Sequence, residues 1–171
     1  MTPLRFPKVL DVMTRKVFAV GPGTSIETAA RLLAQKRVSG APVVLTSGEV
    51  VGVVSMADLV DPDREPGDEL GDAHYYLLEG GTAVELGDPT IPREGTVGEV
   101  MTLSVLSVEP ELGVIEAGRR MVSLGVHRML VVDEHKLLVG IVSVIDLVRG
   151  LVETPGIDQA AAVEPMSDSP V

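Results

Sequence analysis

The chain repeats itself. Met13-Thr14 recurs as Met101-Thr102, Ser55 as Ser143 and Asp58 as Asp146, at a constant spacing of 88 residues. Residues 12–60 align with 100–148 without a gap. Val17, Val20, Pro22, Ala29, Arg31, Val38, Val43, Val44, Val51 and Gly52 all meet identical residues. A chance similarity would not hold register over such a length, so the chain carries an internal duplication. Each copy has only about fifty residues, too few to bury an independent core comfortably. Two copies stacked face to face around a pseudo-twofold axis would bury both sheets' apolar sides. One compact module is therefore expected over residues 1–151, with repeats at 8–61 and 96–151.

Each copy reads as β-α-β-β-α, an α/β fold. "KVFAV" (16–20) and "SVLSV" (104–108) are predicted as short strands, closed by Pro22 and Pro110 because proline cannot continue a ladder. A helix follows in "TSIETAARLLAQKR", where Thr24 with Glu27 reads as a capping box. Ile26, Ala29, Ala30 and Leu33 share one helix face, as do Val114, Ala117, Gly118 and Met121 in the second copy. "APVVL" and "MLVVD" are each predicted to pair with the next apolar run as a hairpin. A last helix is expected from Ser55 and from Ser143. Between the repeats, the acidic, Gly- and Pro-rich segment 62–95 reads as loop with a short helix in "AHYYLL"; it would wrap the module or cover a cleft. Residues 152–171 read as a disordered tail.

Composition sets what such a module can bind. The chain is 45% hydrophobic but only 2% aromatic, so its core must be aliphatic and offers little for stacking on a nucleic-acid strand. A net charge of −11 disfavours nucleic acids and anionic membranes. The absence of cysteine removes disulfides and thiolate chemistry, and the three histidines lack metal-ligand spacing. No apolar run reaches the ~18 residues of a membrane span, and the start lacks a signal peptide's apolar core. A soluble, cytoplasmic protein is expected. Tyr75 and Tyr76 read as anchors of the inter-repeat segment rather than as stacking partners for an adenine ring.

The pattern kept in both copies is Ser-x-x-Asp, in "GVVSMADLV" (52–60) and "GIVSVIDLV" (140–148). It has two readings. A helix start needs such a pair whether or not anything binds, because the serine accepts from the N3 amide and the acidic residue reaches back. The same geometry also suits a ligand. Helix N-termini attract anions, a serine hydroxyl can donate to a phosphate, and a carboxylate can accept from both hydroxyls of a ribose. The aspartates follow Val/Ile-rich strands, where α/β folds place ligands, and a capping box more often uses glutamate. These details favour a ligand.

With "VSGAPVV" and "VHRMLVVD" before the second strand of each copy, and "GVVSMAD" and "GIVSVID" after the third, the chain resembles a tandem pair of CBS domains, or Bateman module, over residues 8–151. That resemblance implies a regulatory fold without catalytic activity. It would bind AMP, ADP, ATP or S-adenosylmethionine in clefts between the repeats, need no obligatory cofactor, and dimerise into a flat homodimeric disc. By the same resemblance Asp58 and Asp146 match ribose-binding aspartates, and Ser55 and Ser143 match the hydroxyls near the phosphate. The Asp146 cleft would be lined by Ile141, Val38 and Ser39, with Thr14 and Phe18 nearby and His127-Arg128 on the phosphate. Asp58 would head a second cleft bordered by Val53 and Val126.

The two copies differ where His127-Arg128 stands opposite Ser39-Gly40. With one evident basic contact in so acidic a chain, a ligand of low charge is expected, AMP-like rather than ATP-like. No effector domain is recognisable, so output would pass to a separate effector protein or through self-association. Two competing readings are a structural or interaction module with vestigial clefts, and an enzyme with an unrecognised site.

Overall fold

A computed structural model of the chain describes residues 6–60 and 94–154. In order, the elements are α1 (Val9–Val12), α2 (Ile26–Lys36), β1 (Gly40–Val44), β2 (Val50–Ser55), α3 (Met56–Val60), α4 (Val97–Val100), β3 (Ser107–Val108), α5 (Val114–Leu124), β4 (Arg128–Val132), β5 (Leu138–Ser143) and α6 (Val144–Val152). The β1–β2 and β4–β5 hairpins are antiparallel with equivalent registers, Ala41 opposite Val54 and Met129 opposite Val142. The predicted inter-repeat helix around "AHYYLL", with Tyr75 and Tyr76, and nearly all of the predicted tail lie outside the described residues.

Two expectations need correction. The segment 16–20 is not a strand. Only Val20 bridges Val43 in parallel, whereas the second copy forms β3 beside Leu130 and Val131. The reason is one residue. Leu130 N–H donates to Leu106 O at 3.1 Å, but the equivalent position in β1 is Pro42, which has no N–H to give Phe18. The second correction concerns α2, whose N-cap is Ser25 rather than Thr24; Ser25 Oγ accepts from Thr28 N at 3.2 Å. Thr24 instead sits in a turn, its N–H on Gly21 O (3.0 Å), and its carbonyl accepts from Val97 N at 2.8 Å.

The helix faces read from the sequence are buried. Ile26, Ala29, Ala30 and Leu33 join Ala41, Val43, Val54 and Leu59 in one core. Val114, Ala117 and Met121 join Met129, Val131, Val142 and Leu147 in another. Each of the larger side chains contributes about 2 kcal/mol by leaving water. Neither core is closed by its own repeat. Val9 of α1 is fully buried in the second-repeat core, and Val97 of α4 is fully buried in the first-repeat core.

This exchange of short helices is reciprocal to the hydrogen bond. Val9 N and Leu10 N donate to Leu112 O and Pro110 O at 2.8 and 2.9 Å, and Val97 N and Gly98 N donate to Thr24 O and Pro22 O, both at 2.8 Å. In return, Val114 N reaches Pro7 O (3.1 Å) and Ile26 N reaches Gly95 O (3.2 Å). The orphan donors of each helix start are thus met by the opposite copy. Beyond each short helix, Thr14 pairs with Ile141 and Thr102 with Val53, adding a rung to the open edge of the other copy's hairpin. The hairpin tips also meet, with Val50 N on Lys136 O and Leu138 N on Gly48 O. Two small cores are laced into one module, which answers the problem of size.

The α4 anchor carries a pH-dependent part. Glu99 Oε2 accepts from Thr96 N (2.6 Å) and Thr96 Oγ1 (2.9 Å), and these bonds hold its carboxyl below the ordinary value of 4.5. Because the folded value is the lower one, this contribution is fully present above the ordinary value and is lost as pH falls through the folded value. Glu99→Gln is therefore expected to remove part of the acid sensitivity of unfolding while leaving the neutral-pH fold intact. Chemical denaturation at a series of pH values checks this: the gap between Glu99→Gln and the unsubstituted chain should narrow as pH drops.

Candidate functional site

Both Ser-x-x-Asp motifs stand where a strand hands over to a helix. Ser143 ends β5 and caps α6. Its Oγ accepts from Asp146 N at 3.2 Å, while Asp146 Oδ2 accepts from Ser143 N (2.8 Å) and Ser143 Oγ (2.7 Å). The first copy repeats this geometry: Asp58 Oδ2 accepts from Ser55 N and Oγ, both at 2.7 Å, and Ser55 Oγ accepts from Asp58 N at 3.3 Å. The helix-start reading of the motif is therefore realised in full, with aspartate in the place more often held by glutamate.

The chemistry left over is specific. Each box uses one carboxylate oxygen. A carboxylate offers about four lone-pair sites on two oxygens, so Oδ1 retains acceptor capacity. At Asp146, whose side chain is 16% exposed, Oδ1 lies 3.5 Å from Arg149 Nη1, a loose contact to an exposed guanidinium. Ser143 is differently placed, because its proton is already given to Asp146 Oδ2. A phosphate would have to compete with that carboxylate for it.

Around Asp146 the fold gathers residues from both copies. Val144 N donates to His127 O at 2.9 Å, Arg128 stands opposite Ser143 in the β4–β5 ladder, and Ile141 exchanges two 2.9 Å hydrogen bonds with Thr14 of the first repeat. Around Asp58 the equivalents are Met56 N on Ser39 O (2.8 Å), Gly40 opposite Ser55, and Val53 exchanging two 2.9 Å bonds with Thr102. The His127-Arg128 pair thus belongs beside Asp146, and its Ser39-Gly40 counterpart beside Asp58. Hydrogen bonds tie Val38 to Leu33 and Ser39 to Met56 within their own repeat. Val38 and Phe18 pack on the first core. Val126 is 5% exposed, its side chain committed to the second core. Thr102 was not singled out from the sequence, although its match to Thr14 across the duplication was the signal.

A cavity of about 620 Å³ lies elsewhere, at the far end of α6 against α1, lined by residues that include Lys8, Asp11, Glu111, Gly150 and Thr154. None of the sequence candidates lines it. Several of its polar groups are already engaged, Lys8 with Glu111 as an ion pair, Asp11 with the Lys8 backbone N–H and Thr154 Oγ1 with Gly150 O. Among the described residues no group of acidic or histidine side chains is arranged to hold a metal ion, and no helix is long and apolar enough to cross a membrane.

Comparison with known proteins agrees with this duplicated architecture. The CBS domain family model matches residues 9–63 and 97–153. The chain is 28% identical over 153 residues to the uncharacterized protein MJ1426 of Methanocaldococcus jannaschii, covering 84% of this chain and 90% of that one. It is 33% identical over 138 residues to the 5'-AMP-activated protein kinase subunit gamma-3 of Sus scrofa, covering 80% of this chain but only 24% of that protein. Among solved structures, CBSX2 in complex with AMP superposes with a TM-score of 0.61 at 30% identity, over 85% of this chain and 96% of that one. The two matched segments include the exchanged helices α1 and α4 as well as both Ser-x-x-Asp boxes, and on these grounds the chain belongs to the CBS domain family as a tandem pair.

Proposed function

We propose that this module binds an adenosine-containing ligand, AMP-like in charge, at the start of α6 between the two repeats, and that it acts by binding rather than by turnover. The observation that carries the proposal is the solved relative, 30% identical over 85% of this chain, that holds AMP. The chemistry at Asp146 is compatible with it. Oδ1 is the acceptor for a ribose hydroxyl, and Arg128 beside Ser143 supplies a planar cation for one phosphate. In a chain of net charge −11, a triphosphate would meet too little positive charge, so AMP is expected to bind at least as tightly as ATP. The signal would pass to a separate protein or to the module's own association, provided the ligand prefers one state.

The intact capping boxes favour a second reading, a scaffold whose clefts no longer bind. A thermal-denaturation series with adenosine, AMP, ADP, ATP and S-adenosylmethionine separates the two. At a hundred times its dissociation constant a ligand stabilises by about 2.7 kcal/mol, a rise on the order of 10 °C for a chain of this size. That rise is expected with AMP. An unchanged midpoint with all five compounds leaves the scaffold reading.

A further inference from the structure

Ligand binding at Asp146 leaves the two methionines of the seam without a role, although both copies keep them. Met13 belongs to the first repeat but packs on the second-repeat core, and Met101 of the second repeat packs on the first core. Each sulfur lies over a glycine of the opposite hairpin. A Cβ at Gly140 would stand 2.7 Å from Met13 Sδ, and one at Gly52 would stand 2.9 Å from Met101 Sδ. A flexible thioether fills such a slot well, and the fit leaves no room for a further atom on that side. Both side chains are only partly buried, whereas Met121 and Met129 are 0% and 2% exposed inside the second core. The chain has no cysteine, so its sulfur chemistry rests on methionine alone.

We infer that Met13 and Met101 form a redox-sensitive latch between the repeats, opened by hydrogen peroxide. The thioether attacks one peroxide oxygen and the O–O bond breaks. Sulfur loses two electrons and becomes a sulfoxide, while the other oxygen takes up the displaced proton and leaves as water. The new oxygen is a strong hydrogen-bond acceptor in a place with no donor to spare. Beside Met13, Thr14 N and Ile141 N each donate to the other's carbonyl, and beside Met101, Thr102 N and Val53 N do the same. An unpaired polar atom is costly to bury, so the oxidised side chain turns out to water and uncovers its glycine. The neighbouring rung is then open to solvent, and one of the contacts that lace the two cores together is lost. Because the same sulfur stands at both seams, oxidation loosens the module from both sides. Enzymatic reduction of the sulfoxide restores the thioether and closes the latch. This inference is independent of the ligand proposal.

Treatment of the full chain with dilute hydrogen peroxide tests it, read by peptide mass spectrometry, thermal denaturation and amide exchange. Met13 and Met101 should oxidise roughly 10-fold faster than Met121 and Met129, since susceptibility follows exposure. The melting midpoint should fall by about 5 °C and recover on treatment with methionine sulfoxide reductase. Exchange should quicken at Thr14, Ile141, Val53 and Thr102, while Val54 and Val142, which pair within their own hairpins, stay protected. Met13→Leu combined with Met101→Leu, a change of nearly constant volume, should leave the midpoint indifferent to peroxide. Should that variant not fold, the time course in the unsubstituted chain decides. The loss should track sulfoxide at Met13 and Met101 and not at Met56, which packs against its own repeat's core. The inference is overturned by sulfoxide at both seams with an unmoved midpoint, by equally fast oxidation of Met121 and Met129, or by a loss that persists in the leucine variant or follows Met56.

Discussion

Gly140→Val is expected to destabilise the protein by about 3 kcal/mol and to lower its melting midpoint by roughly 10 °C. A Cβ at Gly140 would stand 2.7 Å from Met13 Sδ and 3.0 Å from Thr14 O. The methionine can swing aside, but the carbonyl cannot. Thr14 O accepts from Ile141 N at 2.9 Å, and Thr14 N returns the bond to Ile141 O at the same distance. The added side chain must therefore either strain β5 or break the rung that joins the first repeat to the second. Gly52 is in the same position, with Met101 Sδ and Thr102 O both 2.9 Å from its would-be Cβ. Gly23→Ala is the control, because nothing lies within 4 Å of a Cβ there, and its effect should stay within about 0.5 kcal/mol. Urea denaturation followed by circular dichroism reads both. Should Gly140→Val match Gly23→Ala, the seam between the repeats does not bear the weight assigned to it.

Asp146→Ala is expected to have two separable effects. Without ligand it loses the capping box, costing about 1 kcal/mol, and Asp58→Ala should cost a similar amount because the two boxes have the same geometry. With AMP present, Asp146→Ala should also lose the ligand-induced stabilisation. Asp146→Asn sharpens the distinction. An amide oxygen can still accept from Ser143 N, so much of the cap survives, but one acceptor oxygen is replaced by a donor. AMP affinity should then fall roughly 10- to 100-fold, as for lost hydrogen bonds to a charged group. Calorimetry on the three variants checks this. Equal AMP binding by Asp146→Asn and the unsubstituted chain would leave Asp146 as a helix cap alone.

The elements that were legible in the sequence are those whose pattern is local. The apolar rows of α2 and α5, the two hairpins, and the Ser-x-x-Asp helix starts all follow from spacing and turn chemistry. The exchange of α1 and α4 was hidden because it depends on partners about a hundred residues away. Val9 reads as an ordinary apolar residue near the start of the chain, and only the fold shows it fully buried in the second-repeat core. The paired Met-Thr and Gly matches were visible, but not that each glycine exists to admit the other copy's Met-Thr. Segment 16–20 reads as a strand by composition and fails as one because its neighbour is Pro42, a comparison possible only once Leu130 is seen donating in the second copy. At the site, sequence alone could not decide between cap and ligand, since one carboxylate can serve both with different oxygens.

A titration of AMP into isotope-labelled protein, followed through its backbone amide resonances, is the most direct test. The amides of Ser143, Val144 and Asp146 should shift together with that of Thr14 from the opposite repeat, while that of Leu138, at the other end of β5, changes little. Unperturbed resonances at the start of α6, with shifts elsewhere or nowhere, would contradict the placement of an adenosine ligand between the two repeats.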